Sequence, residues 1–79
     1  MNGIDDRAPT RQDAGTIAAI RGGVVDVVFD GAVPKIHDLL YAGEVPLEVS
    51  ALIGEGLVRA VAMAPVRGLG LGMPVTVTG

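Results

Sequence analysis

The chain has 79 residues, a formal net charge of −3, twelve glycines and no cysteine. That length allows one domain, and a domain of this size buries only about 60% of the surface its unfolded chain exposes. The missing cysteines exclude disulfides and thiolate metal sites, and the acidic balance with only two aromatics, Phe29 and Tyr41, argues against a nucleic-acid surface.

Residues 1–14, MNGIDDRAPTRQDA, are charged and poor in apolar groups. They lack the apolar core of a signal peptide and read as a disordered N-terminal tail. No apolar run approaches the roughly 20 residues of a membrane-spanning helix. From residue 15 onward the chain is rich in Val, Leu, Ile and Ala, broken into short runs by glycine. That pattern predicts an all-β domain over residues 15–79, a sandwich or a barrel.

The organising stretch is GTIAAIRGGVVDVVF, residues 15–29. Two apolar runs flank Gly22-Gly23, the signature of a tight hairpin. The first strand is expected at residues 16–21 and the second at 24–29. On the second, Val25, Val27 and Phe29 share one face, and Asp26 lies on the other between Val24 and Val28. Asp30-Gly31 turns the chain. Pro34 fits a loop or an edge, because it has no N–H for a central ladder. Asp38 suits a helix cap, but residues 39–41 are read as a short third strand. A fourth strand over 47–53 puts Leu47, Val49, Ala51 and Ile53 on one face and Glu48, Ser50 and Leu52 on the other. Gly54-Glu55-Gly56 makes a second hairpin turn. In a fifth strand over 57–63, Val58, Ala60 and Ala62 oppose Leu57, Arg59, Val61 and Met63. Residues 64–72 form a loop, and a last strand follows over 73–77.

Six short strands at this spacing can close a small antiparallel barrel, which removes exposed sheet edges. The first, second and fifth strands are apolar on both faces. Ile17, Ala19, Val24, Val28, Leu57, Val61 and Met63 cannot all point inward, so part of the outer wall is expected to be covered. Val24, Asp26, Val28, Leu57, Arg59, Val61 and Met63 are the candidate interface.

Chemical motifs are weak. Gly68-Leu69-Gly70-Leu71-Gly72 resembles a phosphate loop, but Met73-Pro74 follows where a dinucleotide fold needs a helix, so a turn is expected. There is no P-loop motif. His37 is the only histidine, too isolated for a metal site and expected at the surface. Asp26 and Glu48 are of the right type for general acid–base work, yet solvated faces or interface ion pairs explain them more simply. Arg59 either snorkels over Leu57, Val61 and Met63 or meets a partner's carboxylate. No catalytic, cofactor or metal residue is assigned.

The segments GGVVDVVF, VPKIHDLL, LEVSALIGEGLVRAVAM and GLGLGMPVTVTG, in this order, strongly resemble the N-terminal domain of the F-type ATP synthase β subunit. The resemblance covers nearly everything after residue 14. It departs from the family pattern at Leu71, where an Arg is usual, and at Val77, where an acid or Asn often stands. It implies a closed six-stranded antiparallel barrel that packs beside α-subunit barrels in a crown, holding together a hexamer of α-type and β-type subunits. It also implies a peripheral place on the cytoplasmic side of the membrane, reached only through the assembled complex. ATP or ADP with Mg would belong to a following domain. The 79 residues themselves are expected to be a non-catalytic fragment without a cofactor, whose parent makes or hydrolyses ATP coupled to ion transport. A stand-alone small-barrel binding module is the alternative. A reading frame that continues past Gly79 into a P-loop favours the first reading, and a stop codon there favours the second.

Overall fold

The computed structural model describes residues 12–78. Six strands follow in order: β1 Gln12–Arg21, β2 Val24–Phe29, β3 Leu39–Ala42, β4 Val45–Gly54, β5 Leu57–Ala62 and β6 Pro74–Val77. All pairings are antiparallel, and the strands close into a barrel in the order β1-β2-β5-β4-β3-β6. No helix occurs among the described residues. The expected all-β closed barrel is therefore the fold, and residues 39–41 lie in a strand, not a helix.

β2 has the expected bounds because its alternation is clean and turn glycines lie on both sides. Arg21 pairs directly with Val24, so Gly22-Gly23 is a two-residue hairpin turn, and Gly22 supplies the positive φ of 58° that such a turn needs. β1 starts four residues earlier than expected. Gln12 pairs with Val77 and Asp13 with Thr76, which places 12–14 in the β1–β6 seam that closes the barrel. The rest of the proposed tail, residues 1–11, lies outside the described residues. β4 gains Val45 and Pro46 at its start, while β5 and β6 are each one residue shorter than expected at one end.

The core is aliphatic. Val25, Val27, Leu40, Leu47, Val49, Val58 and Val75 are fully buried, and Phe29 is the one aromatic in the core. β-branched side chains suit the pleated inner surface of a small barrel, where alternate residues of every strand fill the interior. Gly15 marks the tightest approach. A Cβ there would lie 2.8 Å from Val27 Cγ1 and 3.0 Å from the Phe29 ring, so only glycine lets β1 pass over β2 at that level.

Register shifts in the β1–β2 and β4–β5 ladders correct the simple face assignments. The β1–β2 register shifts between Ile17 and Ala19, with Ala18 as the extra residue. Ile17, counted above among possible outer residues, points into the core, and Ala19 pairs with Asp26 on the outside. The β4–β5 register shifts between Val49 and Ala51, and again between Leu52 and Gly54, where Ile53, expected on the inner face, is exposed. Ala51 therefore joins the outer face opposite Arg59, instead of sharing the inner face of Leu47 and Val49. A bulged residue reverses the alternation beyond it.

Pro34 sits in the connection between β2 and β3, as its missing N–H requires, but it is buried. That connection is fastened to β4. The His37 N–H donates to the Val49 carbonyl at 2.8 Å, and the Val49 N–H donates to the Asp38 carbonyl at 3.0 Å. The loop before β6 consists of two successive turns. The Leu69 N–H donates to Val66 O at 3.0 Å and the Met73 N–H to Gly70 O at 3.2 Å. The Gly72 N–H is spent on Ile17 O at 2.8 Å. These donors face carbonyls of their own chain and no helix follows, so the glycine run forms turns and not an anion cradle.

Candidate interaction wall

The outer side of β2 and β5 forms the centre of a wall that curves away around the closed barrel onto β1 and β4, and the strand registers set it out in three rows. Directly opposed residues of antiparallel neighbours project from the same side. The first row reads Arg21, Val24, Val61, Glu48; the second Ala19, Asp26, Arg59, Ala51; the third Thr16, Val28, Leu57, Gly54. Six of the seven candidate interface residues fall in these rows. The seventh, Met63, lies just past the end of β5, where its N–H donates to Pro46 O at 2.8 Å, and it is exposed. Val28 and Val61 are exposed too, while Val24 and Leu57 are half-buried.

The centre of the wall is an ion pair. Arg59 Nε donates to Asp26 Oδ1 at 2.9 Å, and a terminal Arg59 nitrogen donates to Oδ2 at 3.2 Å. This two-point match is the geometry in which a guanidinium best satisfies a carboxylate. Arg21 approaches the same carboxylate at 3.8 Å. Asp26 is consequently only 6% exposed although it lies on the outside of the barrel. It is covered by its own chain rather than solvated, which corrects the simpler expectation. Hydrogen bonding from Arg59 is the main reason its carboxyl is held below the ordinary carboxylate range. Burial opposes that shift, and the charges of Arg59 and Arg21 reinforce it. Asp26 in turn raises the Arg59 guanidinium above its already high value. Arg59 therefore has an internal carboxylate.

The sequence did not bring Asp26 and Arg59 together, because they stand 33 positions apart on strands that are not consecutive. The available signal was one acid and one base, each alone in mid-strand on an otherwise apolar outer face. Glu48, at the β4 border of the wall, takes a 3.1 Å contact from His37 Nδ1. His37 is at the surface as expected, 81% exposed at its side chain. It is the one non-glycine with a positive φ, 80°, among the described residues. Asp26 and Glu48 are not neighbours on the wall: β5 lies between their strands and each already has a basic partner. A general acid–base pair does not form. Among the described residues no group of His, Asp and Glu side chains is arranged to hold a metal ion.

Residues 17–79 match the family model of the ATP synthase alpha/beta family, beta-barrel domain. The chain belongs to this family. Among ATP synthase relatives, "ATP synthase subunit beta 2" of Nitrosomonas eutropha is 60% identical over 65 residues, covering 82% of this chain and 13% of that protein. "ATP synthase subunit beta 1" of Dinoroseobacter shibae is 61% identical over 64 residues, covering 81% of this chain and 14% of that protein. A more distant relative, "ATP synthase subunit beta 1" of Pseudoalteromonas atlantica, is 43% identical over 70 residues, again with 13% of its length matched. The chain thus spans about one-eighth of the length of the ATP synthase β subunits it matches. As the β-barrel domain of this family it is not the catalytic part of such a protein. No helix among its described residues is long and apolar enough to cross a membrane.

Proposed function

We propose that this barrel is a structural assembly domain of a rotary F-type ATP synthase β subunit. It packs beside α-type barrels and so helps hold a hexamer of α-type and β-type subunits together. The observation that carries this reading is the wall itself. Its central strands, β2 and β5, present exposed and half-buried aliphatic side chains, Val24, Val28, Leu57 and Val61, around charges that the chain has already paired. Such a surface gives up little on losing water, because Asp26 is desolvated and hydrogen-bonded before any partner arrives. The parent protein would make or hydrolyse ATP coupled to ion transport, with ATP or ADP and Mg held by another domain. The barrel would sit peripherally on the cytoplasmic side, reaching the membrane only through the complex.

The test is a titration of this chain with the barrel domain of the matching α subunit. Saturable binding is expected. Val61→Asp, which sets an unpaired carboxylate among the wall aliphatics, should weaken it at least about tenfold. A folded chain with no affinity for the α barrel would overturn the reading.

A further inference from the structure

The barrel is assembled from two units whose registers are set locally and one single strand. The β1–β2 hairpin is fixed by its two-residue turn, where Arg21 pairs with Val24. The β3–β4–β5 meander is fixed the same way, with Ala42 opposite Val45 and Gly54 opposite Leu57 across two-residue turns. β6 stands alone between β1 and β3. Three seams join these parts: β2–β5, β1–β6 and β3–β6. The strands of a seam are not consecutive, so no turn sets its register. That register is specified only by what the two strands present to each other.

At the β2–β5 seam the aliphatic pattern leaves the choice open. β2 reads VVDVVF and β5 reads LVRAVA. A slip of one residue would turn every inner side chain outward, and burial forbids it. A slip of two keeps every residue on its own face. It would set Val25 opposite Ala62, Val27 opposite Ala60 and Phe29 opposite Val58, so every inner level stays apolar. A slip of two the other way sets Val27 against Gly56 and runs β2 off the end of β5. One pair separates the observed register from its competitor. Asp26 stands opposite Arg59, and the two are joined at 2.9 and 3.2 Å. The Phe29 N–H donates to Gly56 O and the Ala62 N–H to Gly23 O. By alternation the 26–59 pair shares no backbone bonds, and in such pairs side chains come closest. After the slip Asp26 would face Val61 and Arg59 would face Val28. A carboxylate only 6% exposed would then lose its main donor.

We infer that the Asp26–Arg59 pair is the register lock of the barrel. Of two registers that the aliphatic pattern accepts, it selects the one in which the β1–β2 hairpin docks on the β3–β4–β5 meander. Selecting one register among near-equivalent ones is the best-attested use of a polar group on an apolar seam. The other seams contribute less. β3–β6 has three paired residues. Its side-chain bonds among the described residues are hydroxyl contacts, from Thr76 to Tyr41 O at 3.5 Å and from Thr78 to Leu39 O at 3.3 Å. The β1–β6 ladder itself shifts register between Asp13 and Gly15. The consequence reaches the outer wall. With the lock in place Val24 stands beside Val61 and Val28 beside Leu57, and after the slip these rows come apart. The lock operates whether or not an α barrel binds the wall.

The chain has no cysteine, so introduced pairs of thiols can report the register. Val24→Cys with Val61→Cys is directly opposed in the observed register. Val24→Cys with Met63→Cys is opposed only after the slip, and in the observed register it lies on a diagonal too long for an unstrained disulfide. Each pair is oxidised in the full chain, once with Asp26 and Arg59 intact and once with Asp26→Val plus Arg59→Val. Peptide mass mapping follows the bridges. With the charges intact, the 24–61 bridge should form and the 24–63 bridge should form at least about tenfold more slowly. Without them the 24–63 bridge should form at least about tenfold faster than before, because a charged hydrogen-bonded pair no longer opposes the slip. The double valine variant without cysteines should show two sets of amide NMR signals where the parent shows one. It should stay folded with a urea midpoint near the parent's, since it loses the desolvation of the pair along with its attraction. Asp26→Thr with Arg59→Val repeats the test with less added apolar surface. A folded double variant with one set of signals and a 24–63 bridge no faster than the parent's overturns the inference. So does loss of folding in both double variants, which would make the pair a source of stability and not of register. The α-barrel titration reads out separately. A chain that binds the α barrel but fails the thiol test refutes only the lock, and a locked chain that ignores the α barrel refutes only the assembly role.

Discussion

Gly56 ties the β4–β5 hairpin to the end of β2, and replacing it by alanine tests that joint. Its φ is +69°, and a Cβ would lie 2.8 Å from the carbonyl oxygen of Phe29. The Phe29 N–H donates to the Gly56 carbonyl at 2.6 Å, so the two residues hold each other through backbone atoms. Holding alanine in the left-handed region costs about 1–2 kcal/mol. The clash is with backbone, which has no rotamer to escape into, so the strand end must shift. Weakening the single hydrogen bond there adds about 1 kcal/mol. The sum is about 2–3 kcal/mol, a large fraction of the 5–15 kcal/mol that typical domains possess. Gly22→Ala is the internal control. Gly22 has a similar φ of +58°, but a Cβ there would meet nothing within 4 Å, so only the conformational part applies. Urea unfolding at unchanged slope should give Gly56→Ala the larger loss by about 1 kcal/mol, and thermal unfolding a midpoint roughly 10–20 °C below the parent. Equal losses at the two glycines would refute the close-approach argument.

Asp26 makes stability depend on pH in the acid range. Its folded value lies below the ordinary 3.8, so its contribution is fully present above that value and is lost as pH falls through the lower folded one. Asp26→Asn should flatten the acid limb of a stability–pH curve measured by urea unfolding, and an unchanged limb would assign the acid sensitivity elsewhere. Leu40→Ala should destabilise by about 2–5 kcal/mol, because Leu40 is fully buried where β3 bridges β4 and β6. A loss below about 1 kcal/mol would mean that the barrel collapses readily around the missing side chain.

What could be read from the sequence follows the physics of short and long range. β2 was legible to the residue because its alternation, its glycine pair and Asp30-Gly31 are all local. The closing seam was not, since Gln12 and Asp13 carry no apolar pattern and owe their strand conformation to pairing with Val77 and Thr76. The bulges at Ala18 and Ser50 were hidden for a related reason. A bulge shows in the pairing of two strands, and neither small residue differs from an ordinary strand member. The likeness to the ATP synthase β subunit rested on the order of several weak segments, and order survives such local irregularities.

The same distinction explains the wall. Its candidate residues could be found because they broke a rule, being apolar on a face that a lone barrel leaves to water. What organises them could not be found, because it is a relation between strands. Asp26 and Arg59 were each readable as a solvated charge or as a group awaiting a partner. Only the crossover that places β5 beside β2 makes each the partner of the other. The ladder then fixes where Arg21 and Glu48 stand relative to that pair. With the central charges satisfied inside one chain, docking no longer has to supply the main counter-charge for a buried carboxylate. It has to match the aliphatic side chains that surround the pair. Affinity on this wall should therefore respond more to Val61 and Val28 than to loss of either flanking charge by neutral substitution.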